Sequence, residues 1–222
     1  MIELGQISHP GKKRTLNEDS YDVDLPNGLA VIVDGMGGAD AGDIASAFVR
    51  EQLRRNILQG DDPVNALKNT GQALRIQRPQ QGMYPSGAGA LVLTWNGNAF
   101  QAAWIGACRA YHYDGKRTQC LNGAPDEASA TQKPPGSSGT IQALGVTATE
   151  KLRIQSTSGV WGARQSILLC SDGLLDECNS AFLHEIISDM RISAQEAAEQ
   201  LLFQALQGDA GNNITAVLLR MG

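Results

Sequence analysis

Leu29-Ala30-Val31-Ile32-Val33-Asp34-Gly35-Met36-Gly37-Gly38 is the stretch from which the fold follows. Five apolar residues end in a carboxylate, and glycines follow at once. The run is short, rich in valine and isoleucine, and bounded by turn residues, the pattern of a buried β-strand. Asp34 then stands where the strand leaves the core, and the glycines let the backbone turn sharply and approach a ligand. A carboxylate beside bare backbone carbonyls suits a hard cation such as Mg²⁺ or Mn²⁺. Taken alone, the stretch equally describes a tight strand-to-helix turn opened by an aspartate.

At 222 residues the chain is expected to form a single domain over 1–222. A composition of 42% hydrophobic and 18% charged residues is ordinary for a globular protein with a sizeable core. The net charge of −5 argues against nucleic-acid or anionic-membrane partners. No apolar run is long enough to span a bilayer. Met1 to Gln6 lacks the basic and apolar regions of a signal peptide, so a cytoplasmic location is expected. Cys108, Cys120, Cys170 and Cys178 lie far apart without CxxC spacing, which argues against zinc and for reduced thiols.

In chain order, Ile2 to His9 alternates as an edge strand would, and Gly11 to Ser20 is polar and loop-like. Pro26-Asn27-Gly28 makes a hairpin turn between strands at 21–25 and 29–33. Ala41 to Leu58 reads as a helix with Ile44, Phe48, Leu53 and Ile57 inward and Arg50, Glu51, Arg54 and Arg55 on the wet face. Asp62 and Pro63 start a second helix that runs to about Ile76. Arg78 to Ser86 follows as a loop, and strands are expected at 89–94, 99–105 and 109–113, with a turn over 95–98. Asn122 to Thr140, rich in Gly, Pro, Ser and Thr, is expected to be a surface loop. Strands at 151–155 and 166–170, helices at 181–190 and 194–206, and a strand at 216–220 complete the order; Ser193 and Glu196 form a capping box. Helices in pairs, not one per strand, argue against a doubly wound parallel sheet and for antiparallel sheets covered by helix pairs.

Three apolar strands thus meet acidic or amide side chains at one end, at Val33-Asp34, Cys170-Ser171-Asp172 and Asn212 to Ala216. Glu18 and Asp19 add two carboxylates from the N-terminal loop. If these ends converge, the packed anions need cations or protons. Two divalent ions are the usual solution, and they polarise a water into a nucleophile.

The set Arg14-x-x-Asn17-Glu18-Asp19, Val33-Asp34-Gly35-Met36-Gly37-Gly38, Ala143-Leu144-Gly145, Ser171-Asp172-Gly173-Leu174 and Asn213-Ile214-Thr215 resembles, in this order, the metal-dependent protein phosphatases of type 2C in their compact bacterial form. The resemblance covers nearly the whole chain. It implies an α+β fold, a sandwich of two antiparallel sheets flanked by helix pairs, in four α-β-β-α layers. It implies hydrolysis of phosphoserine and phosphothreonine in proteins with two Mn²⁺ or Mg²⁺ ions, one of them weakly held here. The partner would be a phosphorylated protein, the product of a serine/threonine kinase, and the chain a monomer. Carried over to this sequence, Asp34 would bridge both metals, Glu18 and the Gly35 carbonyl would serve one, and Asp172 the other. Asp19 would hold the metals' waters. Arg14 would grip the substrate phosphate, a task its planar fork suits.

Departures from the family pattern lie close to the chemistry. Where the family has Asp-Asn-Ile-Thr this chain has Asn212, whose amide oxygen can coordinate without charge, so weaker metal binding is expected. Asp209, three residues upstream in a glycine-flanked loop, is the alternative donor. Gly106-Ala107-Cys108-Arg109 replaces Gly-Asp-Ser-Arg and loses the aspartate that helps hold a third metal, and Gly87-Ala88-Gly89 replaces Gly-Thr-Thr. The family's Asp-His-Ser is missing. The chain is then either a serine/threonine phosphatase of altered metal affinity or a pseudo-phosphatase, a regulatory module that binds phosphoproteins. The completeness of Arg14, Glu18, Asp34 and Asp172 favours the enzyme. His9, His112 and His184 fall outside the motifs. Cys108, without a Cys-x5-Arg cradle, is expected to be a buried thiol.

Overall fold

A computed structural model describes residues 1–37, 41–80, 86–123 and 142–222. The expected surface loop over 122–140 lies, beyond Gly123, outside the described residues, as does Gly38. Ten strands form two five-stranded sheets. The first takes β1 (Ile2–His9), β10 (Ile214–Met221), β9 (Ser166–Cys170), β6 (Arg109–Tyr113) and β7 (Thr118–Cys120), in that spatial order. The second takes β2 (Asp19–Asp24), β3 (Leu29–Met36), β4 (Gly87–Asn96), β5 (Ala99–Ile105) and β8 (Gln155–Val160). Every pairing between these strands is antiparallel.

All of Leu29 to Val33 is buried because both faces of β3 are covered. Leu29, Val31 and Val33 face the helix pair α1 (Gly42–Leu58) and α2 (Pro63–Gln80). Ala30 and Ile32 face Ile167, Leu169, Val217 and Leu219 of the other sheet. Across that sheet, Leu168, Ala216 and Leu218 pack on α4 (Ser180–Ser188) and α5 (Ala194–Gln207). The four-layer α-β-β-α sandwich that the resemblance implies, and with which the element order agrees, is therefore present. Among the described residues no helix is long and apolar enough to cross a membrane.

Caps fall where the sequence puts them. Asp62 Oδ1 accepts the Val64 and Asn65 amide protons at 2.9 and 3.0 Å, and Ser193 and Glu196 exchange the capping-box bonds of α5. Other details differ. On α1 Leu53 is buried and Phe48 and Ile57 pack against the core as expected, whereas Ile44 is half exposed and Ala45 and Val49 are buried instead. Small residues win at the start of this helix because α1 lies close against β3. Arg54 is not on a free wet face; its guanidinium binds Asp22 at 2.8 Å and Asp24 at 2.5 Å, tying α1 to β2. α2 continues past Ile76 to Gln80. The strand expected over 151–155 is instead a 3-10 turn at Thr149–Lys151 followed by β8, whose residues are mostly exposed. β7 and a single helical turn, α3 (Asp172–Leu175), were not anticipated from the sequence.

Candidate active site

Asp34 sits near the end of β3, directly opposite Asp19 on β2 and Gly89 on β4. The β2–β3 hairpin register therefore fixes two carboxylates side by side. Glu18 precedes β2; its carbonyl accepts the Gly35 amide proton at 3.1 Å. The Glu18 carboxylate rests on Gly42, the first residue of α1, so closely that a side chain there would strike it. Asp172 comes from the other sheet, where β9 passes through Ser171 into α3. The carboxylates thus meet at the seam between the two sheets.

Their electrostatics confirm the crowding. Burial, followed by the charges of Asp172, Asp19 and Glu18, pushes Asp34 from 3.8 up to about 8, with Arg14 opposing. Asp19 is buried, and loss of solvent raises it to about 6, with the nearby Thr215 and Ser171 hydroxyls opposing the rise. Asp172 is raised by burial first and by Asp176 second, and is relieved by Arg109 and Arg14. Arg14 is a minor opposing charge at both Asp34 and Asp172. Asp19 Oδ2 is buried without a hydrogen-bond partner. These are the marks of an anionic pocket that lacks sufficient positive charge of its own. An oxygen-rich set with an orphaned, buried carboxylate oxygen fits hard divalent cations. Among the described residues no three acidic, histidine or cysteine side chains stand close enough to form a ready-made cluster, so an ion would have to draw them inward.

The N-terminal loop is shaped by a residue whose role the sequence did not reveal. Asn213 accepts the Glu18 amide proton at 2.9 Å, and its amide nitrogen donates to the Pro10 and Leu16 carbonyls, both at 2.9 Å. Ser171 Oγ accepts the Thr215 amide proton at 2.9 Å, and Thr215 Oγ1 bonds Ser8 Oγ at 2.8 Å. These hydroxyls form the bed on which Asp19 lies. The signal for them was their place inside the motifs; the sequence did not disclose that they face Asp19.

Asn212 Oδ1 accepts from Arg14 Nη2 at 3.1 Å, and its Nδ2 donates to Asp176 Oδ2 at 2.9 Å. The Asp209 carboxylate is exposed and paired with Lys13. Arg109 folds back on its own turn, donating to the carbonyls of Gly106, Ala107 and Cys108 at 3.4, 3.0 and 3.2 Å. Cys108 is buried beside the cluster; burial, then Asp34, Asp19 and Asp172, hold its thiol protonated. The histidines serve elsewhere: His9 Nδ1 accepts from the Gly11 amide, His112 bonds Gln165, and His184 bonds Thr118.

No family model matches the chain. Its sequence is 28% identical over 239 aligned residues to the serine/threonine protein phosphatase PstP of Mycobacterium tuberculosis, which covers 98% of this chain and 45% of that protein. The chain thus spans just under half the length of this curated relative. Among solved structures it superimposes on PppA, a key regulatory component of T6SS in Pseudomonas aeruginosa, with a TM-score of 0.82 and 26% identity, over 99% of this chain and 97% of that one. The catalytic domain of PstP solved in complex with 2 manganese ions shares the fold, with a TM-score of 0.82 at 24% identity over 99% and 97% of the chains.

Proposed function

We propose that this chain, which has the fold of the type 2C phosphatases and is related to them in sequence, hydrolyses phosphoserine and phosphothreonine in proteins. One observation carries the proposal. Asp34 and Asp19, paired across the β2–β3 hairpin, stand on the same side of the sandwich as Asp172 at the end of β9, and Asp19 Oδ2 is buried without a hydrogen-bond partner. Asp34, Glu18, the Gly35 carbonyl and Asp172 would hold two Mn²⁺ or Mg²⁺ ions, with Asp19 held by the Ser171 and Thr215 hydroxyls behind them. Bound there, the ions supply Lewis acidity and lower the pKa of water enough to make it a nucleophile near neutral pH.

The protein's own groups do the rest. Arg14, on an exposed loop at the rim, takes phosphate oxygens with its fork and so selects a phosphomonoester over a neutral side chain. The raised pKa values of Asp34 and Asp19 mean that cations must displace protons to occupy the site. Asn213 holds the loop that carries Glu18 at its base. The substrate class is a phosphorylated protein made by a serine/threonine kinase.

Turnover of p-nitrophenyl phosphate and of a phosphoserine peptide with Mn²⁺, with and without chelator, tests this. Chelator-sensitive release of phosphate is expected. A protein that binds the phosphopeptide but does not turn it over at millimolar Mn²⁺ is instead a pseudo-phosphatase.

A further inference from the structure

Position 212 is where this chain departs from its family in the ligand set, and the structure gives that asparagine another occupation. Its amide makes two bonds of opposite polarity, accepting from Arg14 Nη2 at 3.1 Å and donating to Asp176 Oδ2 at 2.9 Å. An amide can do both at once. An aspartate could accept from Arg14 but would set a second anion against Asp176. Among the described residues this is the one side-chain hydrogen bond Arg14 makes, and it uses a single amino group. Nε and the other amino group remain for a ligand.

Both partners of the amide belong to the pocket. Asp176 lies one helical turn past Asp172, its amide donating to the Asp172 carbonyl at 3.0 Å, and Arg14 is an opposing charge at both Asp34 and Asp172. The backbone around Asn212 is fixed on two sides. Gly11, at φ +82°, lies against the Asn212 carbonyl, where any side chain would collide. The Lys12 amide donates to the Ala210 carbonyl at 2.8 Å, Lys12 Nζ reaches the Gly208 carbonyl at 3.0 Å, and Lys13 pairs with Asp209. Each of the consecutive basic residues 12, 13 and 14 is thus tied to the 208–212 loop, and only the third tie also reaches the carboxylate pocket.

We infer that Asn212 is a positioning residue for phosphate recognition: its amide ties the Arg14 guanidinium to Asp176, in place of ligating a metal. A long, exposed arginine loses rotamer freedom when it binds, and restraint beforehand reduces that loss. The inference rests on the proposed phosphatase site and assigns the one ligand position that site leaves open.

The test uses Asn212→Ala, Arg14→Ala and the double variant, with Asn212→Leu as a near-isosteric check on folding by thermal melt. Mn²⁺ binding is measured by calorimetry, and KM and kcat on a phosphoserine peptide at saturating Mn²⁺. Asn212→Ala is expected to raise KM about tenfold, leave kcat within about twofold and leave Mn²⁺ affinity unchanged. In the Arg14→Ala background the same change should add almost nothing, because the two residues act as a unit. A tenfold loss of Mn²⁺ affinity in Asn212→Ala, or full additivity with Arg14→Ala, overturns the inference and makes Asn212 a ligand or a bystander. If the wild-type protein shows no turnover, the phosphatase reading fails alone, and peptide binding decides the clamp: a tenfold weaker Kd in Asn212→Ala supports it, an unchanged Kd overturns it. A wild-type protein that neither turns over nor binds the peptide overturns both.

Discussion

Asp34 bears the heaviest electrostatic burden of any carboxylate in the pocket, and its substitution has two opposite consequences. Asp34→Asn should lower the Mn²⁺-dependent rate by well over tenfold, a loss above about 1.4 kcal/mol in the barrier. The same change should stabilise the chelated protein. A carboxyl raised from 3.8 to about 8 binds a proton in the fold that the unfolded chain has released. Stability of the chelated protein therefore falls as pH rises from about 4 toward about 8. Neutral asparagine removes that slope, so the melting temperature of Asp34→Asn in chelator should exceed wild type at pH 8 and match it near pH 4. Equal melting curves at pH 8 would count against the crowding described here. For Arg14→Ala the expected signature is kinetic: a raised KM and lowered kcat/KM on a phosphopeptide, with the calorimetric Mn²⁺ affinity little changed.

At the scale of elements, the entry of α1 decides whether Glu18 can serve. The Glu18 carboxylate fills the space where a Gly42 side chain would stand. Gly42→Ala should favour the helix by up to about 1 kcal/mol yet displace Glu18. The expected result is a melting temperature close to wild type and Mn²⁺ affinity reduced about tenfold, read by calorimetry. This close entry also explains why Ile44, which periodicity turns inward, is half exposed: near the sheet only Ala45 and Ser46 fit. The apolar strands were legible because burial on both faces favours runs of Val, Ile, Leu and Ala. β8 was not, because Ser156 to Ser158 are polar and mostly exposed and the strand is held by its ladder to β5. In the pocket, carboxylates after apolar runs could be read directly. Asp176 could not, since an aspartate one helical turn past Asp172 looks like any solvated helix residue until Asn212 is seen to bond it.

For the whole molecule, ions at the seam would join two sheets that otherwise meet through an apolar interface. Mn²⁺ at about a hundred times its Kd should add about 2.7 kcal/mol, or roughly 5–10 °C of melting temperature for a chain of this size. At one fixed Mn²⁺ concentration the gain should be larger at pH 8 than at pH 5.5, where protons compete for Asp34 and Asp19 and raise the apparent Kd. Melts with Mn²⁺ and with chelator at the two pH values check this, and a gain independent of pH would contradict it.

The first and last strands, β1 and β10, pair along their full length, from Ile2 against Met221 to His9 against Ile214. Arg14 and Asn212 are consequently neighbours although 198 positions apart in the chain. The hairpins β2–β3 and β4–β5 can close early on local contacts, but the Arg14–Asn212 bond waits until β10 is made and finds β1. A nascent chain lacking its last strand would carry Asp34 and Asp19 without the loop that steadies Glu18 and Arg14. In refolding, recovery of phosphatase turnover should therefore lag behind burial of the tryptophans, Trp95 and Trp104 among them, on β4 and β5.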